Sequence, residues 1–181
     1  SFDYFPFEVD NKSNNSYQIA KEYFNEYEIW KFEKEISLLD MDTNILYRPF
    51  NTLSKGEQTK VLLAILFLKE NNFLLIDEPT NHLDTKGREL VASYLKRKKG
   101  FILVSHDRRF LDDCVDHILS LNRATIEVQS GNFSSWYENF NRTQQFEMTQ
   151  NERLQRDISR LQKAATRTAN WSEKLEDTKI G

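Results

Sequence analysis

The sequence predicts an α/β fold: a parallel sheet covered on both faces, followed by a long polar helix. Three observations point there. Two continuous apolar runs, Phe73–Ile76 and Phe101–Ser105, flank a helical pattern from Thr85 to Lys98. That is the strand–helix–strand order of a parallel sheet, whose strands lose the alternation of a half-exposed one. The first run ends in paired acids, Asp77-Glu78, at the strand end where open α/β sheets place their ligands. From Ser134 to about Lys163 there is no glycine or proline, and Gln, Glu, Arg and Asn dominate.

The elements follow in order. Residues 1–10 read as a short strand entering a loop, with Pro6 as the breaker, and the polar cluster Asn11–Ser16 as a turn or helix start. Ile19, Tyr23, Tyr27, Trp30 and Ile36 fit helices between Tyr17 and Leu39, two of them with a bend. Asp40–Thr52, with Pro49, is a connector. Ser54 with Glu57 three residues on makes a capping box for a helix reaching about Lys69. After the strand–helix–strand unit come a short helix, Asp107–Asp113, and a β-hairpin of His117–Leu121 and Thr125–Gln129 around Asn122-Arg123-Ala124. In the final helix, Leu154, Ile158, Leu161 and Ala165 follow a 4-3-4 spacing, a narrow seam suited to one partner helix.

Bulk properties bound the function. The 181 residues suit one domain plus an appendage, and 39% apolar residues with 13 phenylalanines suffice for a core. The net charge of −3 gives no global argument for nucleic acid. It is unevenly spread: residues 1–140 carry 17 basic and 22 acidic side chains, residues 141–181 carry 8 and 6. The basic tail reads either as an approach to RNA or as a solvated helical face. Cys114, the single cysteine, leaves no intrachain disulfide and fits a reducing compartment. The longest apolar run, Val61–Leu68, is too short to span a bilayer, and the N-terminus shows no signal-peptide pattern. A soluble, cytoplasmic protein is expected.

Several residues are candidates for chemistry. Asp77 can bind Mg²⁺ through water and Glu78 can polarise an attacking water, although two solvated acids at a strand end would look the same. His106, after the second strand, would share their crevice and reach a γ-phosphate. Leu53-Ser54-Lys55-Gly56-Glu57-Gln58 opens a helix whose free N–H groups and dipole favour a phosphate, or it is simply a well-capped helix. His82, His106 and Asp77 match no zinc spacing. Lys96-Arg97-Lys98-Lys99 reads as a cap on a helix end, with a nucleic-acid patch as the alternative. No G-x-x-x-x-G-K-[ST] occurs in the 181 residues, so the hydrolytic half of a nucleotide site is expected without its phosphate-cradling loop.

In their order and spacing, LSKGEQ, LLIDEPTNHLD and LVSHD resemble the nucleotide-binding domain of ATP-binding cassette proteins. The resemblance covers residues 1 to about 140 and implies the C-terminal half of such a domain, a parallel-sheet core with a helical subdomain. Residues 141–181 would then be the start of an interdomain linker helix. It implies that Ser54, Lys55, Gly56 and Glu57 form the signature motif, with Lys55 in place of its usual first glycine. Asp77 is implied as the Walker B aspartate holding Mg²⁺, Glu78 as the catalytic glutamate, Asp84 as the D-loop aspartate and His106 as the switch histidine. Where the family often reads Tyr-x-Pro-Gln, this chain reads Tyr4-Phe5-Pro6-Phe7, and Phe7 cannot ligate Mg²⁺.

DEPTNHLD, SHDRRFLD and the charged helix after GNFSSWYENF resemble the ABC-F branch, and within it the antibiotic-resistance proteins of the Lsa and Vga type. That resemblance implies ATP and Mg²⁺ as cofactors and a second cassette on the same polypeptide. It also implies a linker reaching the large ribosomal subunit from the tRNA exit site, with no membrane partner. The 181 residues alone are expected to be inactive. The alternative is an ATPase subunit of an ABC transporter, which needs no 40-residue polar helix after the cassette.

Overall fold

The computed structural model describes residues 2–23, 28–69, 73–122 and 125–177. It divides into two compact units, Ser1–Ser134 and Ser135–Gly181. The first holds a three-stranded parallel sheet in the order β1-β2-β3, with β1 Phe2–Phe5, β2 Phe73–Asp77 and β3 Phe101–Val104. Phe5 pairs with Ile76, and Asp77 with Val104. Between β1 and β2 lie α1 (Ser16–Ala20), α2 (Ile29–Leu38), two short 3₁₀ turns (Thr43–Tyr47 and Phe50–Thr52) and α3 (Lys55–Leu66). The crossover from β2 to β3 is α4 (Thr85–Leu95), and α5 (Arg108–Cys114) follows β3. The hairpin forms as β4 (His117–Leu121) and β5 (Ile126–Ser130), closed by the Asn122 N–H donating to the Thr125 carbonyl at 2.9 Å. Arg123 and Ala124 lie outside the described residues.

Helix α3 organises the core. Every residue from Val61 to Leu66 is buried, as expected of a helix that is apolar all round. Val61–Leu68 is therefore the central core segment. Among the described residues no helix is long and apolar enough to cross a membrane. Helix α2 joins this core through Phe32 and Ile36, and α4 through Val91, Tyr94 and Leu95. A partly buried polar knot ties α2 to α4: Tyr94 Oη and Lys98 Nζ both donate to Glu35 Oε2 at 2.5 Å. The Lys98 ammonium also lies over the rings of Tyr94 (4.7 Å) and Phe67 (5.1 Å). Burial, with Glu35 beside it, raises the Tyr94 phenol far above its ordinary range. Burial likewise pushes the Cys114 thiol up to about 12, where it stays protonated and donates to the Phe110 carbonyl.

Three expectations change. The sheet is covered on one face only among the described residues: Leu74 and Ile76 point into the core, while Phe2, Tyr4, Ile102 and Val104 are exposed. The helices of the first unit all pack on the same face, so the continuous apolar runs alternate in burial after all. The basic run does not simply cap α4, which ends at Leu95; Lys98 instead reaches α2 at Glu35. The last helix, α6, runs from Phe133 to Asp177, beyond the expected Lys163, because no glycine or proline interrupts it. Its start is held to α5, where Asp112 accepts from the Ser134 backbone N–H (2.7 Å) and hydroxyl. In the second unit, Leu154, Ile158 and Leu161 are exposed along α6.

Candidate functional site

The C-terminal edge of the sheet brings Asp77, Glu78 and His106 to neighbouring strand ends. Asp77 is the last residue of β2. The ladder to β3 continues one step further, with the Glu78 N–H donating to the Val104 carbonyl at 2.9 Å. There the chain turns sharply, with Glu78 in the left-handed region at φ 46°. For a non-glycine residue that conformation costs about 1–2 kcal/mol, and here it sits at the candidate catalytic carboxylate. The turn brings the Glu78 side chain over the end of β3, where Oε1 accepts the His106 backbone N–H at 2.8 Å. Ser105 Oγ lies 3.5 Å from Glu78 Oε2 and accepts the Asp107 N–H at 3.1 Å. The His106 Nε2 is 3.6 Å from Glu78 Oε1, and its imidazole is 97% exposed, free to meet a ligand in front of the strand ends.

Asp77 has a partner that sequence reasoning missed. Tyr4 Oη donates to Asp77 Oδ2 at 2.8 Å, and that bond, with the carboxylate charge behind it, raises the phenol above its ordinary range. Phe7, by contrast, is committed to packing: its ring sits edge-on to Tyr23 at 6.3 Å, beneath the Lys69 ammonium. No signal along the chain links Tyr4 to Asp77; the parallel register of β1 on β2 does.

The first turn of α3 forms the second part of the site. Both halves of the capping box are present: the Glu57 N–H donates to Ser54 Oγ at 3.2 Å, and the Ser54 N–H to Glu57 Oε2 at 2.7 Å. The Ser54 N–H holds the Glu57 carboxyl below its usual range, with Arg48 at 3.7 Å assisting. Lys55 Nζ reaches Gln58 Oε1 at 3.4 Å, and the Gln58 amide donates to the carbonyls of Phe50 and Leu53. The amides of Lys55 and Gly56, in the first turn, have no partner within the helix.

Gly56 explains how α3 meets the loop after Glu78. A Cβ there would lie 3.2 Å from the His82 carbonyl oxygen and 3.6 Å from a Leu83 methyl. Asp84, two residues on, is the N-cap of α4, its Oδ1 accepting the Gly87 N–H at 2.8 Å. Arg88 then braces the site from behind, a role with no signal in the sequence. Its Nε donates to the Leu83 carbonyl (3.2 Å) and its guanidinium pairs with Asp107 (3.1 Å). The signature-like turn, the loop 80–84 and the segment after β3 thus form one connected surface.

No group of three or more His, Cys, Asp or Glu side chains among the described residues is placed to hold a metal, so His82, His106 and Asp77 do not form a zinc cluster. Mg²⁺ asks for less, since it retains waters and takes one or two carboxylates plus substrate phosphates. Asp77 fits that demand, with Oδ2 held by Tyr4 and Oδ1 lacking a partner among the described residues.

Comparison with known proteins follows the same lines. The protein family described as ABC transporter matches residues 6–81. The ribosome protection protein VmlR of Bacillus subtilis is 38% identical over 128 residues, which is 70% of this chain and 23% of that protein. The energy-dependent translational throttle protein EttA of Mycobacterium tuberculosis is 42% identical over 91 residues, 50% of this chain and 16% of that one. The chain thus spans less than a third of the curated relatives it matches. A dimeric bacterial ABC transporter cassette superposes with a TM-score of 0.57 at 17% identity, over 70% of this chain and 61% of its own. An archaeal ribosome recycling factor bound to a ribosomal stalk protein gives 0.52 at 24% identity, over 65% and 24%.

Proposed function

The chain belongs to the ATP-binding cassette family, and from that premise we propose that it supplies the hydrolytic end of an ATP site in an ABC-F protein acting on the ribosome. The observation that carries the reading is the pairing of Glu78 with the His106 backbone N–H at 2.8 Å, one residue beyond Asp77. In that arrangement Glu78 is the general base. Its carboxylate is oriented by the His106 amide at Oε1 and by the Ser105 hydroxyl, 3.5 Å from Oε2, and takes a proton from an attacking water. The exposed His106 imidazole reaches the γ-phosphate and helps hold that water in line. Asp77 would hold Mg²⁺, which when bound would supply charge neutralisation between the phosphates.

The first turn of α3 serves a different nucleotide. With Ser54 and Glu57 capping the helix, the amides of Lys55 and Gly56, the Lys55 ammonium and the helix dipole form an anion-binding end. It would receive the γ-phosphate of ATP held by a second cassette on the same polypeptide. Asp84 orders the loop between the two half-sites. The 181 residues hold no G-x-x-x-x-G-K-[ST] loop, and on their own they bind no ATP.

Helix α6 supports the ribosomal half of the reading. Arg153, Arg156, Arg160, Lys163 and Arg167 recur at a spacing of three and four, so they share one helix face over about 21 Å at 1.5 Å per residue. Such a stripe suits an RNA phosphate backbone. The names of VmlR and EttA place those two relatives in ribosome protection and translational control. Antibiotic resistance by ribosome protection, a linker entering from the tRNA exit site and a cytoplasmic location complete the proposal.

Cosedimentation of the complete Glu78→Gln protein with ribosomes, with and without ATP, tests it. ATP-dependent association that weakens steeply with added salt is expected. Its absence would remove the ribosome and favour the ATPase of a transporter.

A further inference from the structure

We propose that Tyr4 is a positioning residue for the divalent-cation carboxylate: its phenolic O–H orients Asp77 through Oδ2 and leaves Oδ1 to the cation. The proposal rests on the nucleotide-site reading above and adds a residue to it. The geometry comes from the sheet. Tyr4 pairs in parallel register with Leu75, two residues before Asp77, so Tyr4, Leu75 and Asp77 lie on the same face. One two-residue repeat of a strand is about 6.6 Å, a span the long phenol side chain covers. Its hydroxyl arrives at Asp77 Oδ2 at 2.8 Å. On the other flank, Asp77 faces Val104, which has no polar side-chain atom.

Two further observations favour positioning over a merely structural bond. The Tyr4 hydroxyl bonds a side chain and no backbone group, so it adds nothing to the ladder that holds β1 on β2. Phe7, three residues on, has no oxygen to offer and is committed to Tyr23 and Lys69. The polar contact that the β1 segment makes with the site therefore comes from Tyr4. A carboxylate bonded through one oxygen keeps one rotamer, and partners of this kind change metal affinity by about 10–100-fold.

The test is Mn²⁺ binding, read by electron paramagnetic resonance, to the complete protein carrying Glu78→Gln and loaded with ATP. Tyr4→Phe keeps the ring and removes only the hydroxyl. It is expected to weaken Mn²⁺ about tenfold, while leaving the melting temperature and the affinity for ATP in EDTA unchanged. Asp77→Asn in the same background is the control. If Asp77→Asn weakens Mn²⁺ and Tyr4→Phe stays within twofold of the parent, the positioning role is wrong and the nucleotide site stands. A Tyr4→Phe protein that loses melting temperature and metal-free ATP affinity together would show a structural bond and also overturn the proposal. If Asp77→Asn leaves Mn²⁺ binding intact, the nucleotide-site reading falls and takes the proposal with it.

Discussion

Replacing Glu78 by Gln isolates the charge of the candidate base from its geometry. A glutamine keeps an Oε1 that accepts the His106 N–H at 2.8 Å, and it tolerates the same left-handed backbone. What it loses is the ability to take a proton. General-base catalysis contributes about 10²–10⁴-fold, so single-turnover hydrolysis by the complete protein should fall by that factor. At 1.36 kcal/mol per decade this is about 2.7–5.4 kcal/mol on the barrier. ATP affinity and melting temperature should hold. Glu78→Ala separates the remaining role: it removes the acceptor for the His106 N–H as well, and should add a stability loss of about 0.5–1 kcal/mol. Glu78→Gly should recover part of that, since glycine enters φ 46° without the steric cost. Quench-flow hydrolysis reads the rate, urea unfolding the stability, and isothermal titration with Mg-ATP the unchanged affinity. A Gln variant hydrolysing within threefold of the parent would refute the assignment of the base.

The remaining predictions concern the scaffold that holds the site. Ser54→Ala should cost about 1 kcal/mol in urea unfolding by opening the capping box. Because the Glu57 carboxyl is held below its usual range, its share of stability is complete above the unfolded value of about 4.3. That share fades as pH falls through the lower folded value, so an unfolding series from pH 7 to pH 3 should show the difference between the parent and Glu57→Gln shrinking towards the acid end. Glu35→Ala should cost about 2–3 kcal/mol, less than the full penalty of a fully buried pair because Glu35 and Lys98 keep some exposure. The Glu35→Leu, Lys98→Met double variant should recover most of the loss, and a cycle showing simple additivity would contradict the shared knot. Leu74→Ala should cost about 2–5 kcal/mol, whereas Val104→Thr on the open face should stay within about 0.5 kcal/mol; equal costs in this chain would refute the one-sided sheet.

Local signals carried most of what was legible. The capping box at Ser54 and Glu57, the strand that stops at Asp77 and the histidine two residues past β3 are all short-range patterns, and each appears where its pattern places it. The unforeseen contacts are long-range. Tyr4 and Asp77 are 73 residues apart, Glu35 and Lys98 63, Arg88 and Asp107 19. Which side chains meet across such distances depends on strand register and on how α2 and α4 pack, neither of which is encoded in a local window. The helix ends moved for a related reason. Lys98, past the end of α4, donates instead to the partly buried Glu35 carboxylate on α2. At α6, the residues from 164 to 177 also lack glycine and proline, and the helix continues through them to Asp177.

The open face of the sheet links the fold to the chemistry. Runs such as Phe73–Ile76 and Phe101–Val104 are apolar at every position, the pattern of strands buried on both sides. Within this chain only alternate residues are buried, and Phe2, Phe73, Ile102 and Val104 form an apolar surface that also bears Tyr4 and Asp77. The continuous pattern is therefore a property of the sheet once that surface is covered. Covering it changes the electrostatics of Asp77 more than its position. Removing water from around the Tyr4–Asp77 bond strengthens it and raises the cost of leaving the carboxylate without a countercharge. A cation at Oδ1 would supply that charge. The same apolar residues that make β2 a core strand would then favour a cation at its terminal carboxylate, with the phenol at 2.8 Å holding that carboxylate in the orientation proposed above.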